Sequence, residues 1–213
     1  MINKTTIIDL GLSNICSVTR AFEQCGSEVV IVNSASDVLA ADRLVLPGVG
    51  SFKAGMDALS RRHLIEPIVD YALNRQRPLL GICLGMQLLL ECSEEFGLSH
   101  GLNIVPGGVV ALPKGHLGKP IKVPNIGWHR LIPASLDRTF QNTIFQSIGD
   151  CYVYFVHSFA AKPEAKKDVL ATIRPQELEI VAAIQKDYVI GCQFHPEKSG
   201  RTGLNILRNF LKV

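Results

Sequence analysis

The chain has 213 residues, 47% hydrophobic and 19% charged, so it can bury a sizeable core and has no compositional sign of disorder. Its net charge of +3 is too small to indicate a nucleic-acid-binding protein, and the basic segment at 162–168 also carries acids and is interpreted as a solvated loop. No run approaches the roughly 18 apolar residues of a membrane span, and Asp9 interrupts any signal-like core, so we expect one cytoplasmic domain over residues 1–213.

Strands and helices alternate in the first half of the chain. Strands are predicted at 5–11, 27–33, 43–48 and 77–83, and helices at 13–26 and within 51–76. This alternation predicts a parallel α/β sheet. The near-continuous apolar strands predict that both faces of the sheet are covered.

The pattern changes at about Gly107, where short apolar runs are separated by proline and glycine. We interpret these runs as an antiparallel layer added to the sheet and closed by a helix at about 201–211. The predicted strands of this layer are 107–113, 121–133, 151–159, 168–173, 178–184 and 188–194.

The six cysteines are widely spaced, and no two of them form a CxxC pair. This spacing argues against a zinc site, and disulfides are not expected in a cytoplasmic protein. We therefore expect no metal, and any cysteine with a chemical role acts as a thiol.

The segment GICLG at 81–85 places Cys83 between two glycines, where a strand ends and a predicted helix over 84–95 begins. A nucleophile between two glycines at a strand-to-helix turn is typical of a reactive nucleophile elbow. Unpaired N–H groups at a helix start favour a thiolate, and the N–H of Leu84 is free to stabilise an oxyanion. The alternative is a core cysteine in a tight turn, because free cysteine packs as a small hydrophobe.

A nucleophilic cysteine needs a base, and QFHPE at 193–197 supplies one. His195 follows an apolar strand, and Glu197 lies two positions later, so strand periodicity points both side chains the same way. The carboxylate can then hold one ring nitrogen while the other faces the thiol, as in a Cys-His-acid triad. The alternative is a loop histidine beside a surface glutamate.

The sequence surroundings of the other five histidines indicate which of them belongs to a site. His157 ends an apolar strand in YFVHSF and is the other histidine expected to line a site. The remaining four lie in polar or turn segments and are interpreted as surface residues: His63, His100, His116 and His129.

The segment LPGVGSF at 46–52 follows a strand and opens a helix, but it lacks the phosphate-loop and dinucleotide-binding patterns. Its glycines permit a backbone flip, so a peptide N–H at Val49 or Gly50 could turn toward an oxyanion. A plain tight turn is the alternative.

Five segments together resemble the class-I (triad) glutamine amidotransferases: LPGVGSFKAGM, GICLGMQLL, VPNIGWHRL, YFVHSF and GCQFHPEKSGRTGLNILRNF. The resemblance extends from Ile7 to Leu211. GICLGMQ and HPE are typical of the whole family. SFKAGM, PNIGW and EKSGRTGL are more similar to the glutaminase subunits of imidazole glycerol phosphate synthases, which belong to histidine biosynthesis.

The resemblance implies a flavodoxin-like domain, in which helices flank a parallel sheet that has an antiparallel strand extension in the C-terminal half. It implies that Cys83 attacks the side-chain amide of L-glutamine, forms a glutamyl thioester and releases ammonia. His195 would act as acid and base, and Glu197 would orient it. No cofactor is implied. The implied glutamine-binding residues are Gly48, Gln87, His157 and Ser158.

The resemblance also implies a heterodimer. Ammonia would pass to a separate (β/α)₈-barrel synthase/cyclase subunit that makes imidazole glycerol phosphate and AICAR, across an interface sealed because ammonia in water would be protonated and lost. Asn14, Trp128 and Lys198 match interface or signalling positions of the family. For Trp128, core packing is the alternative.

The sequence departs from the family pattern in three partner-facing or loop segments, one of which is 171–184, where a Tyr-Gly pair often seen before the second-last strand is absent. The first loop reads LGLSN where the family commonly has Tyr-Gly-x-Gly-Asn, and Asn125 stands where a histidine is expected. Three other functions stay open: a paralogous glutaminase feeding a sugar-modifying synthase of surface polysaccharides, a cysteine hydrolase or peptidase, and a non-catalytic binding subunit.

Overall fold

The computed structural model describes residues 3–135, 139–149 and 151–213. The longer strands are β1 (Asn3–Ile8), β2 (Ser27–Val32), β3 (Leu44–Gly48), β4 (Leu79–Cys83), β5 (Leu90–Ser93), β7 (Val105–Ala111), β10 (Asn125–Arg130), β12 (Tyr152–His157), β13 (Phe159–Pro163), β14 (Val169–Ile173), β15 (Ile180–Lys186) and β16 (Val189–Cys192). Four two-residue strands are β6 (Ser99–His100), β8 (Gly115–His116), β9 (Lys119–Pro120) and β11 (Ile132–Pro133).

The helices are α1 (Ile15–Gln24), α2 (Ala35–Ala40), α3 (Phe52–Arg61), α4 (Ile65–Val69), α5 (Leu84–Leu88) and α6 (Gly200–Phe210). α4 continues into a π-helical turn over Asp70–Asn74. Short 3₁₀ turns lie at Lys166–Asp168, Pro175–Glu177 and Pro196–Lys198. None of the helices in the described ranges is long and apolar enough to cross a membrane.

The central sheet has the strand order β11-β14-β15-β16-β4-β3-β1-β2. Strands β2, β1, β3, β4 and β16 are parallel, and β15, β14 and β11 extend one edge, each antiparallel to its neighbour. The predicted α/β class with an antiparallel extension is confirmed. The prediction was wrong for β16, which runs parallel to β4 rather than belonging to the antiparallel layer.

The other strands form smaller sheets beside the central one. One has the order β13-β7-β5-β6, and β10-β12 and β8-β9 are antiparallel pairs. The C-terminal half therefore contributes to several sheets and not to one added layer.

Helices cover both faces of the central sheet, as predicted. Successive side chains of a strand point to opposite faces, and in β3 Leu44 and Leu46 pack into one core whereas Val45 packs into the other. α1 and α6 cover the Val45 side, where Phe22 and Phe210 meet edge to face with 6.3 Å between ring centroids. α2, α3 and α4 cover the opposite side. The central strands are thus buried between two cores.

Three helical segments differ from the predictions. The helix predicted over 84–95 ends at Leu88, and the chain then enters β5, because an uninterrupted apolar run fits a helix and a buried strand equally well. The segment 51–76 is divided into α3 and α4 near His63, which has a positive φ of 54°. α2 was not predicted, although Ser34 caps it by accepting a hydrogen bond from the N–H of Asp37.

Candidate active site

Three neighbouring strands bring the predicted nucleophile and base together. In the sheet register, Gly48 of β3 lies opposite Cys83 of β4, and Cys192 of β16 lies opposite Ile82. Because these strands are parallel, their carboxyl ends meet at one edge of the sheet, where open α/β folds place their sites. Cys83 and His195 consequently line one cavity although they are far apart in the sequence.

Cys83 lies in a sharp strand-to-helix turn with φ of 55° and ψ of −109°. Such a conformation strains a non-glycine residue by roughly 1–3 kcal/mol. The flanking glycines permit it, because a Cβ on Gly85 would overlap the carbonyl of Leu46 and a Cβ on Gly81 would lie 2.7 Å from the backbone nitrogen of Met86. Neither position has room for a side chain, so the pattern at 81–85 forms the predicted elbow.

His195 and Glu197 form a buried pair. The imidazole Nδ1 donates a 2.7 Å hydrogen bond to Oε1 of Glu197, and the two side chains are only 3% and 2% exposed. The alternative of a surface glutamate is therefore wrong. Hydrogen bonds join the loop that carries His195 to β12. The N–H of His195 donates to the carbonyl of Tyr154 at 3.0 Å. The hydroxyl of Ser199 accepts from the N–H of Tyr154 at 3.0 Å and donates to the carbonyl of His195 at 2.6 Å.

The second ring nitrogen of His195, Nε2, is buried and makes no hydrogen bond of ordinary geometry within the described ranges. Burial on its own lowers the pKa of His195, but the neighbouring Cys83 thiol and the Glu197 carboxylate outweigh burial and raise the pKa to about 9. Cys83 and His195 thus interact at the cavity that both residues line. At neutral pH the ring carries a proton that it can transfer to a leaving group.

The raised pKa of His195 predicts a stability that depends on pH. A pKa above the ordinary 6.5 means that the protonated ring stabilises the fold fully below about pH 6.5, and that this contribution is lost as the pH rises through about 9. We expect the free energy of unfolding in urea to fall by on the order of 3 kcal/mol over this range. In the control His195→Asn this fall should be absent; an equal fall in both proteins would contradict the assignment.

The cavity has a volume of about 360 Å³. At its floor, Nε2 of Gln87 donates to the carbonyl of Phe159 at 3.2 Å and to Oε1 of Gln193 at 3.0 Å, so both of its N–H groups are used. Most predicted site residues meet at this cavity, but Gly48 does not line it. The lining residues are Val49, Gly50, Cys83, Leu84, Gln87, Glu95, Pro124, Val156, His157, Ser158, Phe159 and His195.

Glu95 lines the cavity and was missed by the sequence analysis. Its Oε2 accepts a 2.7 Å hydrogen bond from the backbone N–H of Phe52 at the start of α3. It is the one carboxylate among the described lining residues. A helix was predicted over 84–95, and a glutamate at the end of such a helix is normally interpreted as a solvent-exposed charge. For this reason Glu95 was not predicted as a site residue.

Gln193 was also missed, although it lies in the same QFHPE segment as His195. Its side chain is fully buried, and its Nε2 donates to the sulfur of Cys83 at 3.9 Å. A polar residue inside the apolar segment predicted as a strand at 188–194 was the signal that could have identified it.

His157 belongs to a buried chain of hydrogen bonds. Its Nδ1 donates to the carbonyl of Phe159 at 2.8 Å, which leaves Nε2 to accept from Nδ2 of Asn125 at 2.9 Å. Oδ1 of Asn125 accepts from Nε2 of His129 at 2.8 Å. Asn125 therefore links two imidazoles, and His129 is a half-buried member of this network, not the surface residue that was predicted.

The protonation of His157 can be checked directly. Burial lowers the pKa of His157 to about 4, although the bond to the Phe159 carbonyl opposes this shift and the nearby His129 and His195 reinforce it. We expect imidazole ¹⁵N spectra to show the neutral Nδ1–H tautomer, with no titration of this ring above about pH 5. In Asn125→Asp, a carboxylate would face Nε2, and the midpoint should move to higher pH. A wild-type midpoint near the ordinary 6.5 would contradict the network.

The PGVG turn directs the N–H of Val49 away from the cavity. This N–H donates a 2.6 Å hydrogen bond to the carbonyl of Leu12, in the loop before α1. In this conformation the donor is already occupied, so donation by Val49 to an oxyanion stays a prediction that requires a backbone flip. Gly50 follows with a φ of 109°, which glycine adopts without strain. The N–H of Leu84 lies directly after Cys83 at the cavity.

The predicted interface residues lie near the site. Asn14 caps α1 by accepting a hydrogen bond from the N–H of Ser17 at 3.2 Å. Trp128 is 53% exposed on β10 and contacts Tyr154 edge to face, with 6.0 Å between ring centroids, so the alternative of core packing is wrong. A cleft of about 20 Å³ behind the triad contains the other predicted residues that do not line the main cavity: Asn14, Gly48, Glu197 and Lys198.

The cysteines form no disulfide, and the described residues offer no metal site. All six cysteines are free. Among the residues with a described placement, no group of three or more His, Cys, Asp or Glu side chains could hold a metal ion.

Comparison with known proteins gives consistent results. The family model for class-I glutamine amidotransferases matches residues 6–213. Imidazole glycerol phosphate synthase subunit HisH 1 of Legionella pneumophila (strain Paris) is 43% identical over 213 residues, covering 99% of this chain and 100% of the relative. The HisH subunit of Geobacter metallireducens is 44% identical, covering 96% and 95%.

Solved structures show the same fold at low sequence identity. The structure of PurLQS from Thermotoga maritima has a TM-score of 0.70 at 18% identity, covering 100% of this chain and 99% of that one. A crystal structure described as a glutamine amidotransferase has a TM-score of 0.72 at 15% identity, covering 97% of each chain.

Proposed function

The chain belongs to the class-I glutamine amidotransferase family, and we propose that it is the cytoplasmic glutaminase subunit of an imidazole glycerol phosphate synthase, with residues 1–213 acting as one domain. The observation that carries the proposal is the cavity where Cys83 lies beside the His195–Glu197 pair. Full-length relatives at 43–44% identity carry the name of this subunit. Their names favour it over the sugar-modifying alternative, and family membership argues against a peptidase or a non-catalytic protein.

In the first half-reaction, the sulfur of Cys83 attacks the side-chain amide carbon of L-glutamine. The S–C bond forms and the amide C–N bond breaks, while His195 transfers its proton to the departing nitrogen, so that ammonia leaves. The pKa of about 9 for His195 supports this role, because the ring is protonated before the amide nitrogen needs a proton. A glutamyl thioester remains on Cys83.

In the second half-reaction, water attacks the thioester. His195, now neutral, takes a proton from the water as the new C–O bond forms, and the S–C bond breaks to restore the thiolate of Cys83. Glutamate leaves after its new carboxyl group loses a proton to solvent. The 2.7 Å bond from Nδ1 to Glu197 holds the ring in place and stabilises its positive charge in both steps.

The lining residues suit a glutamine zwitterion. The carboxylate of Glu95 is available to bind the α-ammonium group, since it is the one acid among the described lining residues. Both N–H groups of Gln87 are used within the protein, so its Oε1 remains as an acceptor for the substrate. His157 adds no charge at neutral pH, because its pKa is about 4.

The oxyanion site is incomplete in this conformation. The N–H of Leu84 is one donor, and the N–H of Val49 becomes the second if the peptide between Gly48 and Val49 flips away from the Leu12 carbonyl. We expect this flip to accompany binding of the synthase subunit and its ligand. Glutamine would then be hydrolysed only when an acceptor for ammonia is present.

The partner surface is proposed around the cavity mouth. Val49, Ile126 and Trp128 are apolar side chains with exposed fractions of 43%, 53% and 53%. Asn14 and Lys198 add polar groups at the cleft behind the triad. A (β/α)₈-barrel synthase seated here would receive ammonia without its protonation in bulk water.

The test is reconstitution with the imidazole glycerol phosphate synthase barrel subunit from the same source. We expect formation of imidazole glycerol phosphate from glutamine, and little glutaminase activity without the barrel and its ligand. With Cys83→Ala, the barrel should still form product from ammonium salts but not from glutamine. Failure with this barrel and success with a sugar-modifying synthase would overturn the partner while leaving the glutaminase chemistry intact.

A further inference from the structure

We infer that Gln193 is a positioning residue for the nucleophile: its side-chain amide donates to the sulfur of Cys83 and connects that sulfur to Gln87 of the glutamine pocket. The contact distances are 3.9 Å from Nε2 of Gln193 to Sγ of Cys83 and 3.0 Å from Nε2 of Gln87 to Oε1 of Gln193. This inference rests on the proposed function in one respect, that Cys83 is the nucleophile.

A backbone carbonyl fixes the direction of this relay. The carbonyl of Phe159 can only accept, so the group of Gln87 that faces it at 3.2 Å must be the N–H₂ group. The same N–H₂ group then donates its second hydrogen to Gln193, whose oxygen must therefore face Gln87. The nitrogen of Gln193 is consequently the atom that faces Cys83. The carbonyl of Phe159 also accepts from Nδ1 of His157 at 2.8 Å, which holds it in place.

Gln193 is held rigidly and has no access to substrate. Its side chain is 0% exposed, it does not line the cavity, and its backbone N–H donates to the carbonyl of Ala182 on β15 at 2.9 Å. An N–H group that faces sulfur from inside the protein interacts more strongly when the sulfur is negative, and burial strengthens this interaction. Gln193 therefore favours the charged sulfur and holds it on the cavity side of the elbow.

The test is alkylation of Cys83 by iodoacetamide in the full-length protein, followed by mass spectrometry of the peptide that contains Cys83. Gln193→Met keeps the volume and removes the donor. We expect the alkylation rate at neutral pH to fall on the order of tenfold. In glutamine hydrolysis, kcat should fall while KM changes little, because Gln193 does not touch the substrate.

Gln185→Met is the matched control. Gln185 lies on β15, outside the residues that line the cavity, so its replacement should leave alkylation of Cys83 and glutamine hydrolysis close to wild type. Gln87→Met removes the donor that fixes the orientation of Gln193, so we expect a smaller fall in alkylation together with a rise in KM for glutamine. Equal alkylation rates in wild type and folded Gln193→Met would overturn the inference, and so would an equal loss in the Gln185→Met protein. Gln193→Leu is the second variant, in case Gln193→Met does not fold.

A measurement on the unmutated protein covers the case in which neither variant folds. The two side-chain N–H signals of Gln193 should shift when Cys83 is alkylated and should be protected from solvent exchange; unchanged signals would overturn the inference. Alkylation by iodoacetamide requires neither glutamine nor a synthase, so this test does not depend on the proposed function. Failure of the proposed function would appear instead as glutamine hydrolysis that survives in Cys83→Ala.

Discussion

Replacement of Cys83 by alanine is expected to reduce glutamine hydrolysis by at least about 10⁴-fold, because the covalent route is lost and water has no comparably placed group to replace it. Glutamate release in the presence of the synthase subunit is the measurement. The fold should be retained, since the change removes one sulfur atom from a side chain that is 8% exposed and leaves the turn between the two glycines unchanged.

Cys92→Ala is the matched control for this prediction. Cys92 is another free, partly buried cysteine, and it lies on β5, outside the residues that line the cavity. Its replacement should leave hydrolysis close to wild type. Residual turnover in Cys83→Ala comparable to that in Cys92→Ala would refute the assignment of the nucleophile.

Replacement of Gly85 by alanine is expected to destabilise the protein by more than about 4 kcal/mol or to prevent folding. The added Cβ would overlap the carbonyl of Leu46. The clash is between this Cβ on α5 and the backbone of β3, so no side chain can rotate to relieve it. Urea unfolding followed by circular dichroism measures the loss, and the soluble yield on expression reports the extreme case.

Gly108→Ala provides the comparison. A Cβ on Gly108 would have the Cys92 sulfur at 3.5 Å as its nearest neighbour, which is ordinary van der Waals contact. We expect its free energy of unfolding to change by less than about 1 kcal/mol. If Gly85→Ala were as stable as Gly108→Ala, the close approach of α5 to β3 would be wrong.

The sequence allowed the fold class and the centre of the site to be predicted because both depend on local patterns. The apolar composition of the strands at 43–48 and 77–83 predicts that they are buried. The glycines around Cys83 indicate a turn with no space for side chains. The pair His195–Glu197 is separated by one residue, so strand geometry alone brings the two side chains together. These features need no knowledge of distant contacts.

The remaining features depend on contacts between segments that are distant in sequence. Gln193 contacts Gln87, 106 positions away, and Asn125 contacts His157, 32 positions away. No periodicity encodes such pairings. Glu95 was missed because the apolar run before it fits a helix and a buried strand equally well, and only the pairing of β5 with β7 and β6 decides between them. The orientation of the Val49 N–H depends on its hydrogen bond to the Leu12 carbonyl in another loop. Sequence composition does not reveal this bond.

The register between β4 and β16 has a consequence for engineering the molecule. A slip of one residue between them would move His195 about 3.3 Å along the edge and turn the side chains of β16 to the opposite face, so the spacing within these strands tolerates no insertion or deletion. The β8–β9 hairpin is outside this constraint: among the described residues its two strands pair with each other and with no other strand, and Leu117 at its tip is 69% exposed. An affinity tag or a fluorescent reporter grafted at this tip leaves the alignment of the two strands untouched.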